Sequence, residues 1–199
     1  MRKGATIFLV LAFVSCFVFS SCFRKAESQQ DGSQVSENVQ AKTESKNSLP
    51  APTGFVNDYA GVLDENSRNE IENVLKELQK RAKIDFAIAV VKSTEGQPIF
   101  DYSLETAKNW GVGGVNGGIL LMIAVDERKW QIQIDRKLEK VISNDEVKQI
   151  GETMLEPLRA GKYYEGIKKC VGAMIEALAK KQGFEPIKFP KSETKAQSN

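Results

Sequence analysis

Asp58 and the run Asp126-Glu127-Arg128 are the residues of this chain whose types suit chemistry, with the Ser93-Thr94 hydroxyls as a companion pair. Carboxylate and carbonyl oxygens are hard ligands, so such a set points to Ca²⁺ or Mg²⁺ rather than to a softer metal. Arg128 adds a guanidinium able to clamp a phosphate. Each residue also has a plainer reading: Asp58 braces the turn before a helix, Asp126 opens a turn, and Arg128 is a solvated turn charge. The chain has no histidine among its 199 residues. That removes Ser-His-Asp and Cys-His catalysis, histidine bases and every histidine-containing zinc site. Cys170 stands among apolar residues and reads as a small buried hydrophobe.

The glycine run Gly111-Val112-Gly113-Gly114-Val115-Asn116-Gly117-Gly118 does not make a nucleotide loop. Asn116 stands where the third glycine of G-x-G-x-x-G belongs, and the run precedes a strand instead of following one. It reads as a helix-to-strand connection.

The elements that must position these residues follow from periodicity. Asp64 is a good N-cap, and Ile71, Val74, Leu75 and Leu78 share one helical face. Phe86 to Val91 is continuously apolar, as a strand covered on both faces would be. Phe100, Leu104 and Ala107 give a second helix, and Ile119 to Val125 a second buried strand, so the two strands are parallel and joined by a crossover, normally right-handed. Trp130, Ile132 and Ile134 alternate with polar residues, which marks a hairpin to an antiparallel strand. Ser143 to Glu146 fits a capping box, and two further helices follow it. The expected fold is α/β: a small mixed sheet, two parallel central strands plus an antiparallel hairpin strand, sandwiched by about four helices.

In that topology the start of the first helix and the carboxyl ends of both parallel strands lie at one edge, so Asp58, Asp126 and Glu127 are expected to converge there. Open α/β sheets bind ligands at that edge. Asn116 and Asp135 belong to the opposite edge, over about 20 Å away at about 3.3 Å per strand residue.

The N-terminus reads as an export signal: Met1-Arg2-Lys3, an apolar run from Ala5 to Phe19, then Ser20-Ser21-Cys22. Ser20-Ser21-Cys22 resembles the bacterial lipobox, which makes Cys22 the expected lipidation site, with Cys16 a weaker match. Residues 1–22 are then a lipoprotein signal peptide, 23–52 a disordered polar linker, 53–182 the α/β domain and 183–199 a polar tail. The expected location is the bacterial cell envelope, with a lipid anchor in a membrane and the domain facing periplasm or exterior. Net charge is +2, from 28 basic and 26 acidic residues, so nothing marks a nucleic-acid partner.

Val56-Asn57-Asp58-Tyr59-Ala60-Gly61-Val62-Leu63, Trp110-Gly111-Val112-Gly113, Asn116 to Leu121, Asp126-Glu127-Arg128-Lys129 and Pro157 to Tyr163 together resemble the TPM domain, over about residues 55 to 180. The resemblance implies a mixed sheet between helices, a link to membranes, an acidic cleft for divalent cations and, for relatives of a thylakoid protein of photosystem repair, an acid phosphatase activity. Carried over by motif, Asp58, Asp126 and Glu127 are the acidic-site positions. One departure stands out: Asp135-Arg136-Lys137 precedes Leu138-Glu139, where the family has Gly-x-Gly, so charged side chains fill space that glycines would leave open. Two functions are expected from these features. One is an envelope module, stabilised by Ca²⁺ or Mg²⁺, that binds other envelope proteins and maintains membrane assemblies. The other is a divalent-metal-dependent phosphatase in which Arg128 meets the phosphate.

Overall fold

The computed structural model describes residues 49–190. The expected signal peptide, the expected lipidation site Cys22 and most of the expected linker lie outside them. Among the described residues, no helix is long and apolar enough to cross a membrane.

Four strands form one sheet in the order β1 (Val56–Asp58), β2 (Asp85–Val91), β3 (Gly118–Ala124) and β4 (Lys129–Ile134). The first three are parallel and β4 is antiparallel to β3. The mixed sheet and its helices are therefore as the hydrophobic pattern predicts. β1 is an addition: three residues are too few to show a period of two.

Alternation along the strands divides the interior in two. Phe86, Ile88, Val90, Ile119, Leu121 and Ile123 face α1 (Glu65–Ala82), α3 (Asn144–Glu152), α4 (Leu155–Arg159) and α5 (Tyr163–Gln182). Ala87, Ala89, Val91, Leu120, Met122 and Ala124 face α2 (Ile99–Asn109). The alanines let this single helix sit close.

The chain steps in one direction from β1 to β3, while α1 and α2 lie on opposite faces. Two parallel crossovers so arranged have opposite hands, so one departs from the expected right-handed rule. The short β1 carries little of the strand twist that enforces it.

Capping agrees with the sequence. Asp64 accepts from the Ser67 N–H at 2.8 Å. The Ser143–Glu146 box is reciprocal, and a 3₁₀ turn, Leu138–Lys140, precedes it. Packing continues on both sides of residues 53–182. Leu49 packs against the α2 side, and Pro50 O accepts from Trp110 Nε1 at 2.9 Å. Beyond Gln182, Ile187 is buried and Phe184 and Phe189 pack on the larger core. Three apolar residues spaced among charged ones are a weak signal for docking, which is why this stretch reads as tail.

Candidate functional site

The carboxyl edge of the sheet gathers the predicted acids but does not bring them to one point. Asp58 ends β1, and its carboxylate is occupied by the following turn. Oδ1 accepts from the Ala60 and Gly61 N–H groups at 3.1 and 2.9 Å, and Oδ2 from the Leu63 N–H at 2.7 Å. This is the bracing role. In the ladder Asp58 is level with Val90 and hence with Ile123, three residues short of Asp126 and two strands away. Strand geometry puts their Cα atoms about 14 Å apart. The expected convergence of Asp58 with Asp126 and Glu127 therefore fails: they share an edge, not a centre. Among the described residues, no group of three or more Asp, Glu or Cys side chains is placed to hold a metal ion.

Glu127 is the built residue of this edge. Its Oε1 accepts from Ser93 Oγ at 2.6 Å and from the Thr94 N–H at 3.0 Å, tying the β3–β4 turn to the loop after β2. The Ser93 bond leads in holding its carboxyl below the usual carboxylate range. Oε2 is buried and has no hydrogen-bond partner. Such an oxygen calls for a donor or a cation. Asp126 is exposed beside it, with its N–H bonded to Lys92 O at 2.9 Å. Glu127 Oε2 therefore offers a hard cation one oxygen, and the three-acid set does not fit one.

Arg128 follows in a left-handed conformation, φ 53°. It lines a cleft of about 420 Å³ with Lys129, Arg159 and Tyr163 over a floor that includes Trp130 and Leu158. Neither Arg128 nor Arg159 forms an ion pair among the described residues. Arg159 was not legible as a site residue: its motif is visible, but nothing in the sequence sets α4 against the β3–β4 turn.

Asn116 and Asp135 lie at the opposite edge, as expected, and both side chains are engaged within the fold. Asn116 Nδ2 donates to Ala82 O at 2.7 Å. Asp135 Oδ1 accepts from the Lys137 and Leu138 N–H groups, both at 3.0 Å, and Lys137 Nζ donates to Gly114 O and Val115 O at 3.1 Å. The lysine thus fills the space beside the glycine run. Cys170 is fully buried, and burial pushes its thiol up to about 12.

The TPM domain model matches residues 56–177, more than half of the chain. This chain belongs to the TPM domain family. The UPF0603 protein YdjH of Bacillus subtilis is 25% identical over 131 residues, 66% of this chain and 50% of that protein, so the chain spans about half the length of this curated relative. The solution structure of the N-terminal domain of a P. gingivalis protein is 25% identical, with a TM-score of 0.60 over 70% of this chain and 89% of that one. BA42 of the psychrophile Bizionia argentinensis is 20% identical, with a TM-score of 0.50 over 63% of this chain and 86% of its own, and shares the fold.

Proposed function

We propose that this TPM domain is a non-catalytic envelope module, tethered to a bacterial membrane through lipidated Cys22, that binds envelope proteins and uses Ca²⁺ or Mg²⁺ at Glu127 and Asp126 to fix its binding edge. The observation that carries this reading is the buried, unpartnered Glu127 Oε2. Oε1 of the same carboxylate already joins two loops. A cation on Oε2 would neutralise an otherwise uncompensated acceptor and stiffen both loops, a structural use of the metal. The carboxylate of Asp58 is spent on backbone and so is not free for acid–base work.

The test is to titrate Ca²⁺ and Mg²⁺ into the purified protein while following melting temperature, with Glu127→Gln alongside and a generic phosphate ester assayed in parallel. The expected result is a cation-dependent rise in melting temperature, lost in Glu127→Gln, with no turnover. A melting temperature indifferent to both ions removes the cation from this reading. Cys22 is tested separately by palmitate labelling, and label surviving in Cys22→Ala would identify the wrong cysteine.

The second reading, a divalent-metal-dependent phosphomonoester hydrolase, draws on the cleft where Arg128 and Arg159 are both lining residues. Arginine suits phosphate because its fork binds two oxygens at once. Turnover abolished in both Arg128→Ala and Arg159→Ala, with melting temperature intact, would replace the first reading with this one.

A further inference from the structure

We propose that β4 is a self-complementary edge through which two copies of this chain join as a twofold dimer, merging their four-stranded sheets into one. β4 pairs with β3 alone and so ends the sheet. The Asp135 N–H donates to Gly118 O at 3.0 Å, which sets the phase of the antiparallel ladder. With that register, Gln131 and Gln133 turn their main-chain groups toward β3. Trp130, Ile132 and Ile134 turn theirs away, because bonded and non-bonded pairs alternate. On this outward row, among the described residues, the one side-chain hydrogen bond is from Gln131 Nε2 to Ile132 O at 3.1 Å.

The other edge of the sheet is treated differently. There the outward Val56 N–H is taken by Glu72 Oε2 at 2.8 Å, and the preceding strap bonds to Asn57 through the Thr53 N–H at 2.9 Å. Proteins normally blunt exposed edges. Here one is capped, and the other borders a groove of about 520 Å³ between Phe100 and the α3 residues Asn144, Val147 and Lys148. Phe100, at the lip, is 53% exposed. The groove runs along β4 from Trp130 to Ile134.

The sequence of β4 says which strand. Lys129-Trp130-Gln131-Ile132-Gln133-Ile134-Asp135 is its own antiparallel complement about Ile132. In that register Ile132 meets its counterpart, Trp130 meets Ile134, Gln131 meets Gln133, and Lys129 meets Asp135 at both ends. Opposite charges directly across a ladder stabilise it, and like charges oppose it. Centring the twofold one residue earlier sets Lys129 against Gln133 and forfeits both charge pairs. All three outward residues become bonded in the favoured register. The contact is isologous and closes at two copies, leaving no free β4 edge to propagate.

The test is sedimentation of the full chain over a concentration series, with circular dichroism and melting temperature as folding controls. The expected result is a monomer–dimer equilibrium. Lys129→Asp, which puts acid against Asp135 at an exposed position, should weaken self-association at least about tenfold, while Lys129→Arg retains it. Ile132→Pro removes an outward N–H without breaking a bond to β3 and should abolish the dimer. Should that variant fail to fold, the Lys129 pair decides alone. A chain that stays monomeric to about millimolar concentration overturns the proposal, and so does a dimer untouched by Lys129→Asp. The first outcome would leave the edge to an extended segment of another protein.

Discussion

Asp58 shows how much a single carboxylate can do without touching a ligand. Three loop N–H groups converge on it. A hydrogen bond to a charged acceptor contributes about 1.5–3 kcal/mol, less where water can replace it, so losing all three in Asp58→Ala should cost at least about 2 kcal/mol in urea denaturation, with Asp58→Asn milder because one oxygen remains. Glu146 gives a pH signature. The Ser143 N–H, then Lys181, lower its carboxyl to about 2 from an ordinary value near 4.5. A group lowered on folding contributes stability that is present above its unfolded value and lost as pH falls. The melting temperature should therefore drop between about pH 4.5 and 2, and Glu146→Gln, which keeps the cap but not the charge, should flatten that drop. The Ser143 box was plain in the sequence because its partners lie three residues apart. The position of Asp58 relative to Asp126 was not, because it depends on the register of a strand too short to be seen.

At the scale of elements, two helical glycines test packing against propensity. A β-carbon on Gly151 of α3 would run into the ring of Trp130, whereas one on Gly172 of α5 meets nothing within 4 Å. Alanine gains about 1 kcal/mol over glycine in a helix interior. Gly172→Ala should therefore raise the unfolding midpoint. Gly151→Ala should lower it, because overpacking costs about 1–3 kcal/mol, and should shift tryptophan emission as Trp130 is displaced. Long periodic segments such as α1 and the apolar runs of β2 and β3 were legible from spacing alone. The opposite hands of the two crossovers were not: strand composition says which residues are covered, not on which face a connecting helix will lie. Nor does any local pattern set α4 beside Arg128, so the arginine-lined cleft is a product of tertiary packing.

For the whole molecule, the folded unit runs past the limit at 182 that hydrophobic periodicity suggests. Ile187 is only 9% exposed, and Lys168 Nζ stands 5.2 Å from the ring of Phe189. Burying one such apolar side chain contributes about 1.5–3 kcal/mol. A chain ending at 182 should thus melt several degrees below one ending at 190, as differential scanning calorimetry would record. The start of the unit is fastened too, and this has a mechanical side. Pro50 O holds Trp110 Nε1, Tyr59 OH reaches the same carbonyl at 3.4 Å, and the two rings lie 6.4 Å apart. Tension entering through Leu49 would meet this clasp before it reached β1. The three-residue edge strand, which would peel from β2 one bond at a time if loaded directly, is shielded by a fitting anchored in α2 and its C-terminus. A pull from the N-terminal side should therefore load this clasp before the shortest strand.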